Sequence, residues 1–444
     1  MKILFIYPDP HSGSHSPSNI INKIFFNDPL STFQALGSVT PLEHSIEITD
    51  ERRETIHFDG EYDLIGISAM TYQAPRAYAI ADEFMRRGKT VVLGGWHPSA
   101  MPEEAQQHAH AVVTGEGEEL WSQILKDIAV GTLKQVYRQE KPIDFSAVPA
   151  IGHRTTTKGF FMAMPIEATR GCPQGCNFCA ITNAPGYRIF HAKPVERVIE
   201  EMQTIPQKYL LFNDASLTIN VDYTKRLFKQ MKPLHKKFYC YGNANVLLKD
   251  EALLRLAHEA GCISWSIGFD SVSQESIDSI GKRSNLVADY ISVVKKIHDS
   301  GMNVDGSFMV GFDSDTKDIF DQTLDFVGSS DIDSAAFHIV TPFPGTPLFD
   351  TLEAQKRIVT KDWRKYDCQH VVFQPKHMAA EELEEGVDTL YERYYGSVNV
   401  VRTIRRNFIK GFYPFYVSVA HALQVLQKVK FDGSYQKKKV DQPK

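Results

Sequence analysis

Cys172, Cys176 and Cys179 stand in the run Thr169-Arg-Gly-Cys-Pro-Gln-Gly-Cys-Asn-Phe-Cys-Ala180. Half of the chain's six cysteines therefore fall within one short loop. Three thiolates at C-x3-C-x2-C spacing fold round one face of a cubane iron–sulfur cluster, which ordinarily takes four protein ligands. The fourth iron is left without a protein ligand, and an open coordination position is where a metal centre does chemistry. A zinc knuckle is the competing reading. Zinc wants four ligands, however, and neither a second C-x-x-C nor a C-x-x-H follows nearby.

The elements that must position this loop come in two series. Runs 2–7, 62–68, 90–95 and 111–114 read as strands, and 74–87 and 102–108 as helices between them. Continuous apolar strands separated by helices imply a doubly wound parallel sheet, which binds ligands at the carboxyl ends of its strands. Those ends carry Ser68-Ala-Met-Thr71, Gly94-Gly-Trp-His97 and Gly115-Glu-Gly-Glu118. Residues 131–160, broken by Pro142, Pro149 and Gly152, read as a linker. Strands then follow at 162–167, 209–212, 238–241, 263–269, 304–310 and 335–340, with helices between. Six such units suggest a partial (β/α)6 barrel with its reactive centre at the C-terminal mouth. The fold class is thus α/β: a doubly wound domain over 1–130, a partial barrel over 161–350 and a helical region over 351–444.

Bulk properties narrow the function. The 444 residues suggest two or three domains, and 43% apolar with 23% charged residues is ordinary for a globular protein. A net charge of −5 argues against a nucleic-acid partner. No apolar run of about 18 residues is present to span a bilayer, and the N-terminus reads as a strand rather than a signal peptide. Cys240, Cys262 and Cys368 are scattered, as expected of reduced thiols in the cytoplasm.

With Arg170-Gly171 before it and Phe178 ahead of the last cysteine, the motif resembles the radical S-adenosylmethionine superfamily. The resemblance implies a 4Fe-4S cluster whose open iron chelates the methionine moiety of S-adenosylmethionine. Electron transfer from the cluster then yields a 5′-deoxyadenosyl radical. It also implies site residues at the barrel mouth. Asn213 and Asp214, ending the second barrel strand, are candidates for the methionine ammonium. Asp270 and Ser271 stand where the family has Gly-x-Glu-Ser and would meet the ribose, the Asp being one methylene shorter. Lys282 or Arg283 would pair with the methionine carboxylate, and the backbone around Gly311 would line the adenine. The plainer reading of each is a polar residue capping a strand.

The first domain, with Asp-Leu-Ile-Gly-Ile-Ser, Leu-Gly-Gly-x-His-Pro and Thr-Gly-Glu-Gly-Glu, resembles the cobalamin-binding domain that precedes some radical enzymes. That resemblance places Gly94 and Gly95 on the cobalamin nucleotide tail, with Ser68, Thr71, Gly115 and Glu116 bordering it. A generic flavodoxin-like sheet whose glycines only make turns is the alternative. Asp9-Pro-His11-Ser-Gly13 nearly matches the D-x-H-x-x-G of enzymes that ligate cobalt with histidine, but its glycine comes one position early. His11 is therefore read as a solvated loop residue.

Thr341-Pro-Phe-Pro-Gly-Thr-Pro347 is a stiff loop similar to segments of cobalamin-dependent radical enzymes. In the C-terminal region, 381–395 reads as an amphipathic helix. Arg402, Arg405, Arg406 and Lys410, followed by Phe408, Phe412, Tyr413, Phe415 and Tyr416, could touch a membrane surface or pack against the barrel. The implied activity is methyl transfer to an unactivated carbon of a small-molecule, lipid-like or tetrapyrrole-like substrate, with an external electron donor of flavodoxin or ferredoxin type. Oxidative cyclisation with the same cofactors is the first alternative. A non-catalytic cobalamin sensor is the second, and it has no need of an open iron.

Overall fold

The computed structural model describes residues 1–10, 31–145, 148–149 and 163–396. His11, part of the 131–160 stretch, the start of the 162–167 strand and the basic-aromatic segment after Gly396 lie outside them. The described chain forms two parallel six-stranded sheets and one small antiparallel pair.

The first sheet runs β2-β1-β3-β4-β5-β6, built from β1 (Lys2–Tyr7), β2 (Ser45–Asp50), β3 (Leu64–Ser68), β4 (Thr90–Gly94), β5 (Ala111–Thr114) and β6 (Val136–Arg138). The order reverses direction at β1 and β3, the switch point where doubly wound sheets open a ligand crevice. Two strands were not expected. Ser45-Ile-Glu-Ile-Thr-Asp50 is an edge strand whose outer residues stay partly exposed, so its pattern alternates weakly. β6 comes from the stretch read as linker and carries the sheet past residue 130.

β7 (Met164–Ile166) then opens the second sheet, and β8 (Thr169–Arg170) and β9 (His191–Ala192) bracket the cysteine loop as the antiparallel pair. β10 (Tyr209–Phe212), β11 (Lys237–Tyr241), β12 (Cys262–Asp270), β13 (Asn303–Val310) and β14 (Ser334–Ile339) complete the second sheet. Its order β14-β13-β12-β11-β10-β7 is sequential and all parallel, the open six-stranded barrel expected. Amphipathic helices such as Val221–Met231 and Glu251–Ala260 cover it, burying Leu227, Phe228, Leu253 and Leu254.

Beyond the barrel the expected helical region is only partly helical. Ala380–Tyr394 is a helix, buried through Leu383, Val387 and Leu390 against β14 and the helix Asp318–Ser329. The preceding stretch instead crosses back to the first sheet, where Phe349, Trp363, Tyr366 and Val372 join its core. Cys240 and Cys262 are also not scattered in space. They sit on neighbouring strands with sulfurs 3.9 Å apart, both buried and reduced. Among the described residues no helix is long and apolar enough to cross a membrane.

Candidate active site

The cysteine loop is held by its own backbone and by two side chains that sequence reading did not single out. Gly171 takes φ +82°, and a Cβ there would run into the Ile189 carbonyl. Cys172 N–H donates to the Tyr187 carbonyl at 2.7 Å. The Thr182 hydroxyl donates to the Cys172 carbonyl at 2.6 Å, while Asn183 donates to the carbonyls of Cys176 and Cys179 at 3.0 and 2.8 Å. Both residues lie on the short helix Ala180–Asn183, which starts directly after Cys179. The carbonyls of all three cysteines are thus tied down, leaving the sulfurs to be presented together. Polar residues four, seven and ten positions past a cysteine, in a one-turn helix, were the available signal.

Cys176 is buried and its neighbours are half-buried. Burial pushes the Cys176 thiol up to about 12; the Lys282 charge works against this, while Asp270 and the other two cysteines add to it. The three thiols and the Asp270–Lys282 pair therefore share one electrostatic neighbourhood. A bound iron cluster reverses that balance, because a metal deprotonates its thiol ligands outright. Among the described residues no three His, Cys, Asp or Glu side chains converge on a single-ion site. A cubane needs no such convergence, since each thiolate takes a different iron, whereas a zinc knuckle does.

The residues expected to meet S-adenosylmethionine fare differently. Asn213 is exposed at the end of β10 and faces the main cavity. Asp214 does not. Its buried carboxylate accepts from the Ala168 and Thr169 amides and the Thr169 hydroxyl, at 2.5–3.3 Å. Burial pushes its pKa up to about 7, against the pull of the Thr169 hydroxyl and with the Glu167 charge adding to it. It braces the chain entering the cysteine loop and does not line the cavity. Asp270 and Lys282, expected to serve ribose and carboxylate separately, pair with each other at 2.5 Å, with the Lys282 ammonium also on the Gly268 carbonyl. Asp270 reaches this pose through a left-handed φ of +63°. Ser271 is buried, its hydroxyl accepting from Ser273 N–H. Gly311 N–H donates to Asp315, whose other oxygen accepts from Ser276. Phe178 packs against the cluster of Ile277, Ile280, Phe312, Val340 and Leu352, anchoring the loop to the barrel rim.

One cavity of about 430 Å³ spans the strand ends of both sheets. Ser68, Gly94, Gly95, Gly115 and Glu116 line it from the first sheet's side, and Asn213 after β10 and Tyr187 in the loop before β9 line it from the other. Trp96 and Tyr187 meet across it, ring centroids 5.0 Å apart. Gly95, at φ +100°, lies so close to Ala69 that a Cβ would sit 2.8 Å from its backbone nitrogen and oxygen. Thr71 is not part of the lining; it is buried at the start of the turn Thr71–Gln73. Glu116 lines the cavity but is already engaged. Its carboxylate lies 2.9 Å from His191 Nε2 and 3.1 Å from Arg170 Nη1, and accepts from Ile143 N–H at 3.0 Å. Burial alone would raise its pKa, yet His191, Arg170 and that amide outweigh it and hold it at about 2.

An open barrel carrying a three-cysteine loop, facing the ligand end of a doubly wound sheet, defines a two-cofactor enzyme class. Residues 166–327 match the model of the radical SAM superfamily and residues 39–125 that of the B12 binding domain. The chain is 34% identical over 360 residues to the bacteriochlorophyllide d C-8(2)-methyltransferase of Chlorobaculum tepidum, covering 76% of this chain and 79% of that enzyme. It is 23% identical to the anaerobic magnesium-protoporphyrin IX monomethyl ester cyclase of Cereibacter sphaeroides, over 99% of this chain and 79% of that one. Among solved structures, the methyltransferase TsrM from Kitasatospora setae with cobalamin and a [4Fe-4S] cluster superposes at TM-score 0.67, 14% identical, covering 97% of this chain and 99% of TsrM. OxsB with aqua-cobalamin gives TM-score 0.68, 15% identical, over 96% and 72%.

The chain belongs to the cobalamin-dependent radical S-adenosylmethionine methyltransferase family. It is a radical S-adenosylmethionine enzyme, and its cofactors are a 4Fe-4S cluster, S-adenosylmethionine and cobalamin.

Proposed function

We propose that this enzyme transfers a methyl group to an unactivated carbon of a large apolar substrate, most simply a tetrapyrrole. The observation that carries the reading is the shared cavity bordered by Ser68 and Gly94 on one side and Asn213 on the other. A substrate held there lies between the two cofactor sites. When bound, the cofactors supply a hydrogen-abstracting radical and a transferable methyl group. Cys172, Cys176 and Cys179 would hold the cluster. Asn213 would accept from the methionine ammonium, and the Asp270–Lys282 pair offers an acceptor and a donor at the same mouth. Asp214, Thr182 and Asn183 fix the loop, while Trp96 and Tyr187 narrow the route for water. Reduction would come from an external flavodoxin- or ferredoxin-type protein.

The substrate class draws support from the relatives. Methyltransferases of bacteriochlorophyllide d are 34% and 32% identical, and the hopanoid C-2 methylase of Rhodopseudomonas palustris 22%. The chain-length match to the magnesium-protoporphyrin cyclase keeps oxidative ring closure as the second reading. Feeding the reduced holoenzyme methyl-labelled S-adenosylmethionine with a chlorophyllide or magnesium-porphyrin ester separates the two. Label in the product supports methyl transfer. A ring-closed product without label supports cyclisation and overturns it.

A further inference from the structure

Arg170 lies two positions before Cys172, yet most of its partners are not in its own loop. The guanidinium is 9% exposed and contacts three carboxylates. Nε donates to Glu167 at 2.8 Å, Nη1 to Glu116 at 3.1 Å and Nη2 to Glu118 at 2.6 Å. Its carbon lies 4.8 Å from the Phe145 ring centroid. Glu167 directly follows β7 of the second sheet, whereas Glu116 caps and Glu118 lies in the first turn of the helix Gly117–Val130 that follows β5 of the first. On β9, the strand paired with Arg170, His191 adds a second tie to Glu116.

A planar guanidinium with five donors can serve three carboxylates at once, which an ammonium cannot do in a fixed plane. Burying such a cluster contributes little net stability, because desolvation offsets the Coulomb attraction. What it does fix is geometry. The turn bordering the cavity from the first sheet and the loop presenting the sulfurs are bolted to one group. We propose that Arg170 is a positioning residue that sets the separation between cobalamin and the iron–sulfur cluster. This rests on the two cofactors loading on either side of the cavity. A displacement of about 1 Å in such an arrangement costs on the order of 10²-fold in rate.

The test needs no substrate. Wild type, Arg170→Gln, Arg170→Lys, Glu118→Gln and Glu167→Gln are reconstituted anaerobically with iron, sulfide and hydroxocobalamin, and both cofactors are quantified. Each is reduced to cob(II)alamin and the paramagnetic cluster, and the dipolar coupling between the two is read by pulsed EPR in frozen solution. Wild type and Glu167→Gln are expected to give one narrow coupling. Arg170→Gln, Arg170→Lys and Glu118→Gln should keep both cofactors and show that coupling broadened. A narrow, unchanged coupling in Glu118→Gln overturns the proposal, whatever happens at Arg170. So does broadening in Glu167→Gln with none in Glu118→Gln, which would confine Arg170 to its own loop. If Arg170→Gln fails to fold, Glu118→Gln still decides. Wild type that takes up no cobalamin or no cluster contradicts the cofactor sites themselves, a separate outcome that also removes the proposal.

Discussion

Gly171 is the residue on which the cysteine loop turns. At φ +82° with the Ile189 carbonyl where a Cβ would be, alanine meets both backbone strain and a backbone clash. Strain of that kind costs on the order of 1–3 kcal/mol, and the chain relaxes by moving Cys172. Gly171→Ala is expected to fold but to bind substoichiometric iron after anaerobic reconstitution, read by iron and sulfide analysis. Full iron content would show that the loop tolerates the shift. Glu116 makes a second prediction. Its folded pKa, about 2, lies below the ordinary 4.5, so folding favours its ionised form. The stabilisation is fully present above about pH 4.5 and is lost as pH falls toward 2. Melting of the apoprotein across that window should be less pH-dependent in Glu116→Gln, with a lower melting temperature at neutral pH. An unchanged pH dependence would mean the Arg170 and His191 contacts contribute nothing to folding. The residues legible in the sequence were those whose partners are close in the chain. Spacing alone marks the cysteines as a unit. Asp214, Asp270 and Glu116 were readable as polar strand ends, but not as already paired, because Thr169 reaches Asp214, Lys282 reaches Asp270, and Arg170 and His191 reach Glu116, all from other elements.

At the scale of elements, the stretch after the barrel is the part least visible in the sequence. Trp363 is 7% exposed on the first sheet, its indole N–H donating to Glu104 at 3.0 Å, its ring centroid 4.8 Å from Tyr366. Removing so buried an aromatic typically costs about 3–5 kcal/mol. Trp363→Ala should lower the urea midpoint accordingly, and a midpoint within error of wild type would contradict the docking of this stretch. No periodicity announces such a segment, because it is irregular and buries single large side chains rather than a stripe. Apart from β2 and β6, the strands of both sheets were legible to within a residue or two. Buried parallel strands are near-continuous apolar runs bounded by glycine and polar residues. β2 escaped because an edge strand is half-solvated. The Cys240–Cys262 proximity escaped because parallel pairing joins residues a whole crossover apart.

At the scale of the molecule, two sheets present their strand ends to one shared cavity, and the chemistry follows from what loads on each side. The fold class was legible because both halves carry their own motif at their own mouth. How the halves are joined, through Arg170 and through the returning stretch, depends on long-range contacts that no local pattern encodes. The central claim is that the three-cysteine loop holds a cluster whose open iron binds and cleaves S-adenosylmethionine. The most direct measurement is the yield of 5′-deoxyadenosine from S-adenosylmethionine by the anaerobically reconstituted, reduced protein and by its Cys172→Ala/Cys176→Ala/Cys179→Ala variant. Wild type is expected to form it and the variant to form none. Undiminished 5′-deoxyadenosine from the variant would contradict the account.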